Sequence, residues 1–168
     1  MPSPRRLTLV LLTLMLTPFA GPSAADDVIT ARLMSLDLAG DLARGAVDAC
    51  REEGYQVSAV VVDRSAVTQV VMRDVYASRF NTEIARKKAN AVILSAVSTR
   101  EFLQNRPDIT DVMNLLDDVL VLRGAVPVRA AGSLIGALGV SGAPGGDIDE
   151  RCALAALEKV RMRLEFAD

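Results

Sequence analysis

The stretch GSLIGALGVSG, which runs from Gly132 to Gly142, decides the fold of this chain. Its residues 134–141 form an apolar run that predicts a buried final strand. Gly136 and Gly139 fall inside that strand, where a missing side chain lets another part of the molecule come close to the backbone. We therefore expect this strand to leave room for something to approach its backbone.

The rest of the chain supplies further strands in groups, separated by helices. Runs rich in β-branched residues predict strands at 57–62, 67–72, 119–122 and 126–128. Helical spacing predicts helices over 37–54, from Ser78 or Asn81 to about Val97, over 98–105, and after Asp147. Because the strands come in hairpin groups, we predict an α+β domain with an antiparallel sheet of about five strands flanked by helices.

The glycine-rich loop 141–146 lies between the last strand and the last helix. Asp147 and Glu150 have the D-x-x-E spacing of a capping box at the start of that helix. Backbone N–H groups at such a place can bind an anion, but Asp147, Asp149 and Glu150 would repel phosphate there. We therefore interpret the loop as a turn and not as a phosphate site.

The N-terminus has the pattern of a removable secretory signal. Arg5 and Arg6 precede an apolar run over 7–19, and Ser23 and Ala25 suit a signal peptidase. We predict a signal peptide over 1–25 and a single domain over 26–168. The protein would be exported, periplasmic or secreted, with no membrane anchoring after the signal is removed.

Composition excludes several classes of function. The chain contains no histidine, which excludes Ser-His-Asp and Cys-His catalysis and histidine ligation of zinc or haem. Its formal net charge of −2 comes without a basic tail, which argues against nucleic acid as a partner. No acidic cluster has the spacing of a calcium loop, so we predict no metal site.

The two cysteines leave two interpretations open. Cys50 lies near the end of the first predicted helix and Cys152 near the start of the last. If these helices pack antiparallel, the thiols approach each other and a disulfide is expected in an oxidising compartment. Otherwise they are two buried, inert thiols.

Four segments resemble the GlcG/HbpS family, often labelled haem-binding or haem-degrading. Residues 84–91 contain an A-x-x-K-A helix motif, and residues 132–142 with Asp147 are similar to the family's glycine-rich C-terminal signature. Residues 60–63 and 72–74 fit the same pattern. The resemblance implies a profilin-like fold, a homo-oligomer and, for some exported members, haem binding.

The chain departs from the family pattern at three places. Ala66 stands where members usually have glycine in the first hairpin turn. Val75-Tyr76 replaces a usual Gly-Ala pair, and Gly124-Ala125 replaces Gly-Gly. Because the chain has no histidine, no iron ligand is transferred from the family.

Lys88 is the leading candidate for ligand binding. It shares a helical stripe with Ile84 and Val92, which places an ammonium beside an apolar face. Such a cation could bind a propionate or another carboxylate in a groove between the middle helix and the sheet. The alternative is that its stem is buried while its charge reaches solvent, Glu83 or Asp74.

Arg73 and Asp74 end the second predicted strand, where they could line the same groove. The alternative is an internal ion pair or a hydrogen bond that fixes the loop. For haem iron the remaining donors are Tyr55, Tyr76, Met72, Met113 and the two cysteines. Tyr76 is singled out because it replaces a small family residue, and the alternative is a packed or surface aromatic.

The leading hypothesis is an exported, non-catalytic binding protein for haem or a similar small carboxylated ligand. Its site would comprise Lys88, Arg73, Asp74, Tyr76 and Met72. One alternative is an oligomeric accessory protein for a periplasmic enzyme, with no small-molecule ligand. Another is a haem-degrading or small-metabolite enzyme, for which the sequence offers no nucleophile–base pair.

Overall fold

The computed structural model describes residues 29–167, so the predicted signal peptide over 1–25 lies outside the described residues. The elements in chain order are α1 (Leu36–Glu52), β1 (Ser58–Asp63), β2 (Thr68–Arg73), α2 (Arg79–Ser95), α3 (Thr99–Asn105), α4 (Thr110–Met113), β3 (Ala125–Ala130), β4 (Ser133–Ser141) and α5 (Gly146–Glu165). Ser78 and Ser98 cap α2 and α3 by accepting hydrogen bonds from backbone N–H groups, so α2 begins after the first of its two predicted starting residues.

The four strands form one antiparallel sheet in the order β2-β1-β4-β3. This confirms the predicted α+β class, with one strand fewer than expected. The missing strand is the segment 119–122, whose N–H groups bond elsewhere: Leu120 donates to the Lys87 carbonyl and Val121 to the Asn114 side chain. Its apolar pattern reflects the burial of Val121 against α2 and α3 and not the pairing of a strand.

Helices cover both faces of the sheet. α1 and α5 pack on one face, in a core that includes Leu42, Val61 and Leu138. α2 packs on the other face, against Val60 and Val62. Every residue of β1 except the last is therefore buried, which explains the apolar run over 59–62.

Gly139 is the point at which α2 meets the sheet. A side chain there would overlap the Ala85 carbonyl and crowd the Ala89 nitrogen. The room left by this glycine is occupied by the backbone of α2. Direct contact between helix and strand leaves no groove between them at this position.

Cys50 in α1 and Cys152 in α5 form a disulfide whose Cα atoms are 5.3 Å apart. The same two helices approach closely at Gly45, where an added methyl group would lie 3.2 Å from the Ala156 Cβ. Both cysteines are buried, so the bond lies inside the core.

The predicted capping box at the start of α5 is wrong. The N-cap residue is Gly145, and no side chain caps this helix. Glu150 turns instead to Arg123, which donates to its carboxylate at 2.7 Å. Asp149 turns inward to the site described next.

Candidate functional site

Lys88 lies at the centre of a buried ion pair. Its side chain is 1% exposed. The ammonium donates to Asp149 Oδ2 at 2.9 Å and to the Val140 carbonyl at 3.0 Å. These two contacts join α2, β4 and α5, and the charge is already neutralised inside the protein.

Neighbouring residues add a hydrogen bond to this ion pair and leave space for it. Asp149 Oδ1 accepts a further hydrogen bond from the Ala143 N–H, which anchors the glycine-rich loop. Gly124 lies beside the pair, and a Cβ at that position would come within 2.8 Å of the Lys88 Nζ. Burial lowers the pKa of Lys88 and raises the pKa of Asp149, and their mutual attraction opposes both shifts.

Arg73 and Asp74 fix the loop between β2 and α2. Asp74 is 5% exposed and accepts two hydrogen bonds from Arg51, at 2.6 and 3.0 Å. These bonds hold the pKa of Asp74 below its ordinary value. Arg73 donates to the Ala77 carbonyl at 2.6 Å and to the Asp74 carbonyl at 3.3 Å. Both residues thus make the internal contacts that the sequence offered as the alternative to ligand binding.

Met72 and Tyr76 lie apart from Lys88. Met72 packs against the core formed by α1 and α5, on the face of the sheet opposite α2. Tyr76 is 83% exposed, and its backbone N–H donates to the Gln56 side chain. Within the described residues Lys88 shares no hydrogen bond or ion pair with the other four predicted site residues, and the five do not converge on one groove.

An open cleft lies on the outer side of α2, away from the sheet. It has a volume of about 470 Å³ and is bounded by α2 and the segment 114–120. Its apolar lining consists of Phe80, Ile84, Leu115, Leu116, Val119 and Leu120. Its polar lining consists of Glu83, Lys87, Asn114 and Asp117.

The segment 114–120 is held against α2 by three polar contacts. The Leu120 N–H donates to the Lys87 carbonyl at 3.1 Å. The Asn90 side chain donates to the Asp118 carbonyl at 2.9 Å, and Arg86 pairs with the Asp118 carboxylate at 2.8 Å. The wall of the cleft is therefore fixed at several points, although Leu115 and Leu116 remain exposed.

Lys87 is the cation of this cleft, and sequence reasoning missed it. Successive helical residues point about 100° apart, so Lys88 faces the sheet while Lys87 faces the cleft. Within the described residues Lys87 makes no ion pair, whereas Glu83 is paired with Arg86, which lowers the pKa of Glu83. The signal that could have found Lys87 is the stripe Phe80, Ile84, Lys87, which has helical i, i+4, i+7 spacing.

A larger groove of about 800 Å³ lies between β3 and α5. Leu154 and Leu157 contribute to its apolar lining. Its two arginines are already engaged: Arg129 donates to backbone carbonyls, and Arg161 pairs with two carboxylates of its own helix. Neither arginine of this groove is therefore available to bind a ligand's carboxylate, in contrast to Lys87 in the cleft beside α2.

None of the helices within 29–167 is long and apolar enough to cross a membrane. Over the same range, no three cysteine or carboxylate side chains are grouped so that they could hold a metal ion.

The three layers and the antiparallel four-stranded sheet define a small α+β domain of profilin-like fold. The chain belongs to the HbpS-like family: the family described as haem degrading protein HbpS-like matches residues 34–158. This confirms the resemblance noted in the sequence.

Solved structures agree with this assignment. HbpS has 32% identity and a TM-score of 0.72 over 82% of this chain and 97% of its own. A doubly substituted HbpS from Streptomyces reticuli has 33% identity and a TM-score of 0.72, over 85% and 99% of the two chains. A complex of PduOC with haem has 25% identity and a TM-score of 0.68, over 76% and 94%. No curated protein matches the chain significantly.

Proposed function

We propose that this protein is an exported binding protein of the HbpS-like family that holds haem or another flat carboxylated ligand in the cleft beside α2. The observation that carries the proposal is the stripe of Phe80, Ile84 and Lys87 along one wall of that cleft. It combines an apolar surface for a ring with a cation for a carboxylate. Among the solved structures of this fold, PduOC is a complex with haem.

The size and chemistry of the cleft suit such a ligand. Small-molecule sites in proteins usually have volumes of roughly 300–1,000 Å³ and are mostly apolar, with a few polar groups that orient the ligand. The cleft, at about 470 Å³, lies in this range. The Lys87 ammonium can donate charge-assisted hydrogen bonds to a carboxylate without first leaving another partner.

Export is supported by two independent features. The first is the signal pattern over 1–25. The second is the disulfide between Cys50 and Cys152, because structural disulfides persist in oxidising compartments and are rare in the cytosol. Mass determination of the protein from a native host would give a mature N-terminus at Asp26, and an uncleaved chain would refute this part of the proposal.

The ligand is tested by titrating the purified protein with haemin and following the Soret band. We expect saturable binding at about one equivalent. Lys87→Gln should weaken binding roughly tenfold by removing the charge pair. Ile84→Glu should weaken it further because it places a carboxylate against the ring. Lys159→Gln is the matched control, because Lys159 is an exposed lysine on α5.

Unchanged affinity in both cleft variants would refute the cleft as the binding site. A broad, non-saturating change with the unaltered protein would refute haem as the ligand. Far-UV circular dichroism of each variant checks that the fold is intact.

A specific observation favours a second candidate function, that of an oligomeric accessory protein. Val75 and Tyr76 are 71% and 83% exposed at the tip of the β2–α2 loop. Exposed apolar groups side by side are typical of contact surfaces. The paired change of Val75→Gly and Tyr76→Ala should lower the mass measured by sedimentation if this loop joins subunits, and an unchanged mass would refute that role.

A further inference from the structure

The cleft beside α2 lacks the side chains that usually ligate haem iron. The whole chain contains no histidine. The residues that line the cleft include no tyrosine, cysteine or methionine. Histidine, thiolate, methionine and tyrosine are the common axial ligands of haem.

The candidate iron donors identified in the sequence lie elsewhere in the fold. Tyr55 and Met72 pack against the core on the opposite face of the sheet. Met113 packs against a separate cluster that contains Phe102. Tyr76 is exposed on the β2–α2 loop and does not line the cleft. The two cysteines are consumed by the disulfide.

The polar groups that do line the cleft are poorly suited to iron. Glu83 is held by Arg86. The Asn114 side-chain oxygen accepts a hydrogen bond from the Val121 N–H at 2.7 Å. Asp117 is exposed at the rim and makes no ion pair within the described residues. It is therefore the one carboxylate whose contribution to iron binding has to be tested directly.

We infer that the cleft recognises the porphyrin ring and its carboxylates and is indifferent to the central metal. Its ligand class would then be dicarboxylic porphyrins, with or without iron. The apolar wall binds the ring by burial, and Lys87 binds a carboxylate at the edge. This inference rests on the proposed function, since it concerns the same cleft.

The test compares haemin with metal-free protoporphyrin IX on the intact, disulfide-bonded protein. Haemin is followed by absorbance and protoporphyrin by its fluorescence. We expect dissociation constants within about threefold of each other, because no protein–iron bond contributes to either. Ile84→Glu should weaken both ligands alike, and Leu154→Glu, in the groove between β3 and α5, should affect neither.

Asp117→Asn separates the two ways in which that carboxylate could act. If Asp117 only repels the ligand's carboxylates, the variant binds both porphyrins somewhat more tightly and the Soret band of bound haemin keeps its position. If Asp117 ligates iron, the variant weakens haemin alone and shifts its band, which would overturn the inference.

Protoporphyrin binding more than roughly tenfold weaker than haemin binding would also overturn it, because a metal bond would then carry the affinity. Failure of both porphyrins to bind saturably would instead refute the proposed function. The two failures are therefore distinguishable in one set of titrations.

Discussion

Replacing Lys88 with methionine should destabilise this protein more than any other single lysine substitution. Lys88→Met keeps the length of the apolar stem but removes the ammonium that contacts Asp149 at 2.9 Å and the Val140 carbonyl at 3.0 Å. Asp149 is 3% exposed, so its carboxylate would remain buried with the Ala143 N–H as its partner among the described residues. Removing one member of a buried ion pair costs about 3–5 kcal/mol.

The expected loss of unfolding free energy comes from the Asp149 charge that is left buried without its counter-charge. It does not measure the net stabilisation that the intact pair provides. Asp149→Asn alone should also destabilise, because it leaves the ammonium of Lys88 without its counter-charge. The double variant removes both charges, so it should cost less than the sum of the two single changes by about 1–3 kcal/mol. If Lys88→Met alone fails to fold, recovery of folding in the double variant carries the same information.

Urea unfolding followed by circular dichroism measures these free energies by linear extrapolation. Lys87→Met is the matched control, since it makes the same chemical change one residue away on the half-buried cleft side of α2. We expect the control to change the free energy of unfolding by less than about 0.5 kcal/mol. A loss below about 1 kcal/mol for Lys88→Met, or strict additivity of the two single changes, would refute the reasoning.

Three further perturbations test other parts of the fold. Ala66→Gly should stabilise the protein by about 0.5 kcal/mol in urea unfolding, and a loss of stability would contradict this. Ala66 has a φ of +63°, and the strain of a left-handed alanine outweighs the greater conformational entropy that glycine has in the unfolded chain. Arg51 holds the pKa of Asp74 below its ordinary value of 3.8. The pair therefore stabilises the fold above that pH, and this stabilisation is lost as the pH falls through the lowered pKa of the folded protein. Asp74→Asn should therefore flatten the acid side of the stability–pH profile, and an unchanged slope would exclude the pair as its cause. Replacing Cys50 and Cys152 together with alanine should lower the free energy of unfolding by about 4 kcal/mol, since the disulfide closes a separation of 102 residues; equal urea midpoints would contradict this.

The fold could be predicted largely because its signals are local. The capping serines and the β-branched runs of β1 and β2 each specify their own element. The errors arose where tertiary contact decided the outcome. The segment 119–122 has the composition of a strand, but its N–H groups bond to α2 and to the Asn114 side chain. Asp147 has the spacing of a cap, but the loop places Gly145 in that position.

The site was harder to predict because it depends on which way α2 faces the sheet. Periodicity placed Lys88 on an apolar stripe, which is correct, but did not show that Asp149 lies opposite it. That carboxylate comes from a helix 61 residues away in sequence, so no local pattern pairs them. The stripe that contains Lys87 does not by itself predict a cleft, because the opposite wall is the segment 114–120, part of which lies in the strand predicted over 119–122.

Gly139 explains both why the fold could be predicted and why the predicted groove between helix and sheet is absent. The signature that identified the family requires a strand without a side chain at this position, and the structure fills the resulting space with the backbone of α2 near Ala85. Close packing of that kind removes the groove between helix and sheet in which the ligand was expected. It also commits the inward side of α2, including Lys88, to the core. A ligand that uses this helix must therefore approach its outer side, where Ile84 and Lys87 are only partly covered.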